Sequence, residues 1–145
     1  MHEVWAFEHS IGCAVTRKFA WRFWTAVENW KLDSDIESVE LHGPFAAGSE
    51  GVTHTRSAGP IAWRLVHVVV EAEAVLEVPG TGCVGRFLWT FADLGDSTRI
   101  TQRASMGGEG AQAIADAIAP GLESGIPAGM RRLCESMARA AAGAG

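Results

Sequence analysis

Tyrosine is absent from the 145 residues, so no phenol is available as an acid or hydrogen-bonding group anywhere in the chain. Cysteine is scarce: Cys13, Cys83 and Cys134 are odd in number, far apart and without CxxC spacing. A zinc site or a disulfide framework needs more than this, so three reduced thiols packed as small hydrophobes are expected. Basic residues are outnumbered, 12 Lys and Arg against 17 Asp and Glu, giving a net charge of −5. That balance lacks the electrostatic footprint of a nucleic-acid or anionic-membrane binder. No apolar run approaches the roughly 20 residues that span a bilayer. The first residues, MHEVWAFEHS, are acidic and alternating rather than basic and then apolar, so no signal peptide is expected and a cytosolic location follows. GxSxG and HExxH do not occur, the five histidines are scattered, and no cysteine sits in a recognisable Cys/His arrangement. Covalent catalysis, metal ligation and a bound cofactor are therefore not expected. GTGCVG at 80 to 85 looks like a phosphate loop but is followed by a strand pattern, where a phosphate site needs a helix N-terminus. It reads as a turn.

The composition that remains, 48% hydrophobic and 20% charged, is that of an ordinary globule, and the length fits a single domain, residues 1 to 145. Residues 3 to 12 alternate with period two, Trp5, Phe7, His9 and Ile11 against Val4, Ala6, Glu8 and Ser10, which predicts a half-buried strand. From Thr16, an N-cap residue, a helix is predicted to about Ala26. At about 100° per residue Ala20, Phe23, Trp24 and Val27 share its apolar face, Lys18, Arg22 and Thr25 oppose them, and Trp21 falls near the polar edge. Trp30 would point away from Trp21, so a break near Glu28 and Asn29 and a short second helix through Asp33 are predicted. Extended segments follow near 37 to 42, 50 to 57, 60 to 70, 73 to 78, 84 to 93 and 97 to 106. Glycine, proline, aspartate and serine punctuate most of them, and only the boundary at 71 to 73 lacks such a residue. With no helix between them, these strands should form an antiparallel meander. Ile114, Ile118, Leu122, Ile126, Met130, Leu133 and Met137 then trace a long helical stripe. Pro120 and Pro127 predict a kinked or two-piece helix, the second piece starting near Pro127, and the AAAGAG tail is expected to fray.

Strand parity assigns the inward faces. Centring a hairpin on SAGP pairs His54 with Trp63 and Arg56 with Ile61, placing Val52, His54, Arg56, Ile61, Trp63, Leu65 and His67 on one face. Phe87, Trp89 and Phe91 line one side of their strand, and Ile100, Gln102, Ala104 and Met106 one side of the next. A wide curved sheet offers more apolar area than one helix stripe covers, so a pocket between sheet and helix is predicted. Trp63, Phe87, Trp89, Phe91, Met106, Met130 and Met137 are candidates for its lining, with solid core as their other role. Whether Trp24 or Trp30 closes one end stays open. Inward polar groups are informative because burial penalises them unless they are bonded. Arg56 is a candidate anchor for a carboxylate or enolate, and His54 or His67 a candidate proton carrier. The alternative leaves Arg56 exposed at the hairpin end and both imidazoles bonded to backbone. Gln102 is placed to orient a ligand carbonyl or to bond a neighbouring backbone group. Glu71 and Glu73 read as a solvated edge.

These segments also resemble the SRPBCC superfamily, the START, Bet v 1-like, polyketide-cyclase and lipid-transfer proteins, over nearly the full length. The resemblance is carried by WRFWTAVENW, ESVELHGPFAAGSEGVTH, PIAWRLVHVVVE, RFLWTFADLGDSTRITQR and the closing IPAGMRRL, in that order and spacing. One departure, Ala26 where the family commonly has Asp, bears on the capping of the second short helix and not on the fold. The resemblance implies an α+β helix-grip fold, a seven-stranded antiparallel sheet wrapped around a long C-terminal helix, with two short helices after the first strand. It further implies a cavity for an apolar or amphipathic small molecule, lipid- or polyketide-like. Three functions follow as expectations: a binding protein for such a molecule, with Trp24, Trp63, Leu65, Phe87, Trp89, Phe91, Gln102, Met106, Met130 and Met137 around the ligand; a cyclase or dehydratase using His54, His67 and Arg56; or a structural or regulatory module with a filled cavity. A monomer or weak homodimer is expected in each case.

Overall fold

The computed structural model describes residues 2–31 and 35–144. Strand β1 (Glu3–Cys13) leads into helix α1 (Arg17–Thr25) and a 3-10 turn (Val27–Trp30). Six strands follow, β2 (Ile36–His42), β3 (Glu50–Thr55), β4 (Gly59–Val69), β5 (Glu73–Gly80), β6 (Cys83–Asp93) and β7 (Thr98–Gly107), and helix α2 (Ala111–Ala144) closes the chain. The strands form one antiparallel sheet in the order β1-β7-β6-β5-β4-β3-β2, with β1 and β2 at its edges. This is the helix-grip arrangement: the sheet curves around α2, and α1 with the 3-10 turn covers one end.

Thr16 caps α1 by accepting the Phe19 amide at 3.2 Å. The helix stops two residues before the expected break because Ala26 is extended, at φ −79° and ψ 91°. Ala26 offers the turn no capping side chain. Two side chains from the turn reach back instead: Asn29 Nδ2 donates to the Phe23 carbonyl at 2.8 Å and Trp30 Nε1 to the Trp24 carbonyl at 2.6 Å. They satisfy carbonyls that a helix end leaves orphaned. The predicted continuation to Asp33 lies outside the described residues. Trp21, expected at the polar edge, is buried, edge-on against Phe45 and Phe91.

Two register features reverse the expected faces. The β3–β4 turn occupies Arg56–Ala58 rather than SAGP, so Trp63 pairs with Gly51, Ile61 with Thr53, and Pro60 with His54. Gly59 carries the positive φ of 70° at the strand start. The Asp35 carboxylate clamps the turn from outside, accepting the Ser57 amide at 2.9 Å and its hydroxyl at 2.6 Å. The shift changes parity, so Thr53 faces inward and His54 outward. On β4 a bulge between Leu65 and His67 then inserts Val66, and His67 turns outward as well.

The turn at 70 to 72 has no glycine because Glu71 itself adopts the left-handed conformation, φ 63°. Helix α2 is a single helix through both Pro120 and Pro127 and extends to Ala144, so the expected division into two pieces does not occur. Cys13 and Cys134 are joined by a disulfide, their Cα atoms 5.1 Å apart, and only Cys83 is free, buried beside Met106, Ala111 and Ala115. The expectation of three thiols fails because the end of β1 and the C-terminal half of α2 become neighbours only in the folded chain.

Candidate functional site

A cavity of about 360 Å³ lies on the concave side of the sheet, between the strands, the α1 end and α2. Strands β3 to β7 supply Thr53, Ile61, Trp63, Leu76, Val78, Phe87, Trp89 and Gln102, and Ile36 comes from β2. Trp24 of α1 and Trp30 of the 3-10 turn close one end, while Gly129 and Leu133 of α2 form the far wall. Four indoles run in series along it. Trp89 lies 5.1 Å from Trp24, Trp24 5.6 Å from Trp30, and Trp30 5.2 Å from Trp63, centroid to centroid.

Local sequence explains how the wall is held. Trp63 lies over Gly51, its register partner; a Cβ at Gly51 would fall within 3.0 Å of three indole atoms, so only glycine lets the ring rest against the sheet. Its Nε1 donates to Thr53 Oγ1 at 3.0 Å, fixing the ring plane. Trp30 is fixed by its bond to the Trp24 carbonyl, and Trp24 is wedged between Trp30 and Trp89.

Of the residues expected around a ligand, Trp24, Trp63, Phe87, Trp89 and Gln102 line the cavity. Leu65, Phe91, Met106, Met130 and Met137 do not; all five are buried as solid core. Sequence reasoning left Trp30 open and did not single out Thr53, Val78, Gly129 or Leu133. Correct parity would have found Thr53, and the helix stripe already contained Leu133.

The three residues expected to do chemistry stand away from the cavity. His54 faces the convex side, bonded to Glu40, whose other oxygen lies 3.5 Å from His42 Nε2. His67 meets Glu73 there at 3.1 Å. Arg56, in the turn, pairs with Glu37 at 3.7 Å. The inward placement expected of them is therefore corrected: a register shift and a bulge carry both imidazoles to the outer face, and the turn leaves Arg56 exposed.

The convex face carries the electrostatics. Glu77 is buried between Arg86 and Arg64, accepting Arg86 Nε and Arg64 Nη2 each at 3.1 Å. The Arg86 hydrogen bond holds its carboxyl below the usual value against desolvation, which acts the other way, and Arg64 adds to the lowering. The hydrogen bond from His54 lowers Glu40, with a further contribution from His42. Glu3 is lowered by its hydrogen bond with Arg103. Among the described residues none that lines the cavity is ionisable. Among the described residues no cluster of His, Cys, Asp and Glu is placed to hold a metal ion, and no helix is long and apolar enough to cross a membrane.

No protein-family model and no curated protein sequence matches the chain. Solved structures do. The Zhui aromatase/cyclase from Streptomyces sp. R1128 superposes with a TM-score of 0.77 at 13% identity, over 95% of each chain. Ara h 8.0201 gives 0.76 at 11% identity, covering 93% of this chain and 98% of its own. Norcoclaurine synthase from Thalictrum flavum, in complex with dopamine and hydroxybenzaldehyde, gives 0.71 at 14% identity, covering 94% and 87%. The chain thus has the Bet v 1-like helix-grip fold, the fold that the SRPBCC resemblance implies. At these identities the likeness is one of fold.

Proposed function

We propose that the protein binds a hydrophobic or amphipathic small molecule between the sheet and α2. The observation that carries this reading is the 360 Å³ space walled by four indoles and aliphatic side chains, within the roughly 300–1,000 Å³ usual for small-molecule sites. The norcoclaurine synthase structure holding dopamine and hydroxybenzaldehyde supports it by analogy of fold. A cytosolic monomer or weak homodimer is the proposed working form. Native mass spectrometry of the purified protein and titration with Nile red test the binding. A co-purified apolar adduct or saturable dye emission is expected. Failure of both would favour a structural module whose side chains close the space.

A further inference from the structure

Polar groups are few in the cavity. Gln102 is 8% exposed and lines the space, yet its amide has no hydrogen-bond partner among the described residues. Thr53 Oγ1 already accepts Trp63 Nε1 and Trp30 Nε1 is engaged by the Trp24 carbonyl, while the indoles of Trp24 and Trp89 can only donate. Once a ligand displaces water from the space, an amide left unbonded costs about 1–3 kcal/mol, so a ligand group that satisfies it is favoured. An amide both donates and accepts, which suits a carbonyl or a hydroxyl equally.

Charge is excluded by the surroundings. An ion entering between Leu76, Leu133 and the indoles would lose its water and meet no counter-charge among the described lining residues, at a cost of several kcal/mol. His9, the register partner of Gln102 on β1, shares its face but does not line the cavity. Nor do the indoles form a cage for a cation. Successive rings lie within 5.1 to 5.6 Å of each other, at interplanar angles of 29° to 37°. They pack on one another and leave no cation-sized gap between them, so they make a wall against which a flat molecule can lie.

From these contacts we infer that the ligand is an uncharged, flat, ring-containing molecule whose carbonyl or hydroxyl group bonds the Gln102 amide. The inference rests on the binding reading above and narrows it. The cavity is too small to enclose both chains of a diacyl lipid, which agrees with a compact ring system.

Four probes sharing one ring system test this by quenching of tryptophan fluorescence at pH 8: naphthalene, 2-acetylnaphthalene, 2-naphthoate and 2-naphthylmethylammonium. The ketone is expected to bind roughly three- to tenfold more tightly than naphthalene, the worth of one hydrogen bond. Both ions are expected to bind at least about tenfold more weakly than the ketone. Gln102→Leu should erase the ketone's advantage over naphthalene, both probes being measured on the same variant. Ions that bind as well as the ketone, or a ketone advantage that survives Gln102→Leu, would overturn the assignment. Should the variant not fold, the ranking of the four probes on the unaltered protein decides alone. If naphthalene binds without any preference for the ketone, the Gln102 assignment fails and the cavity reading stands. If no probe binds, the cavity reading fails with it.

Discussion

Gly51 decides where the Trp63 ring lies, and through it the width of the cavity. Replacing it with alanine places a methyl group where the indole now rests, forcing the ring off the sheet and into the space it borders. Gly51→Ala is expected to cost about 1–3 kcal/mol of stability and to weaken binding of a neutral aromatic probe by about tenfold. Chemical denaturation and fluorescence titration on the same preparation check both effects; unchanged affinity would mean that Trp63 does not bound the ligand. At this scale the sequence was legible where alternation is unbroken. Phe87, Trp89 and Gln102 fall on the cavity side as their parity requires. It was illegible where one residue changes parity. His54 and His67 look inward on paper, and only the turn at Arg56–Ala58 and the inserted Val66 turn them outward. Neither event has a local signature as strong as the Gly–Pro pair that placed the turn at SAGP and so set the β3–β4 pairing three residues off.

Among the elements, the strands and the long helix were readable from periodicity, because each buries one face against the other. The behaviour of α2 at its prolines was not. Pro120 and Pro127 each remove a backbone donor, but packing of Ile126, Met130, Leu133 and Met137 keeps the segment one helix. Tertiary contact also explains the cysteines. Cys13 at the end of β1 and Cys134 on α2 are 121 residues apart in sequence, and nothing local announces their meeting. The cross-link closes most of the chain into a loop, and reduction is expected to lower stability by about 2–5 kcal/mol. A thermal melt with and without dithiothreitol reads this directly. An unchanged melting temperature in the presence of fully titrated thiols would show that the bond contributes nothing.

For the whole molecule, charge and cavity are separated by the sheet. Glu3, Glu40 and Glu77, all held below the usual carboxylate value of 4.5, bond to partners across the convex face. A carboxyl depressed in the folded state stabilises it above the unfolded value, and that contribution disappears as pH falls through the lowered folded value. Stability is therefore expected to decline once pH drops below about 4.5, whereas the affinity of the folded protein for a neutral probe stays flat above it, since none of the described lining residues is ionisable. Denaturation midpoints and probe titrations across pH 3 to 8 separate the two. An affinity that follows the stability curve while the protein remains folded would place a titrating group in the cavity.

Gly129 offers the most direct test of whether the space on the concave side is a binding site. It lines the cavity from α2, and a Cβ built on it meets nothing within 4 Å, so a side chain there can grow into the space without displacing core. Gly129→Leu also replaces a glycine in a helix interior, worth about 1 kcal/mol in propensity alone. The measurement is the affinity of 2-acetylnaphthalene for the unaltered protein and for Gly129→Leu, by tryptophan quenching, beside their melting temperatures. The expected result is a variant at least as stable as the original that has lost most of its binding, and binding retained in a stable Gly129→Leu protein would contradict the placement of the ligand between sheet and helix.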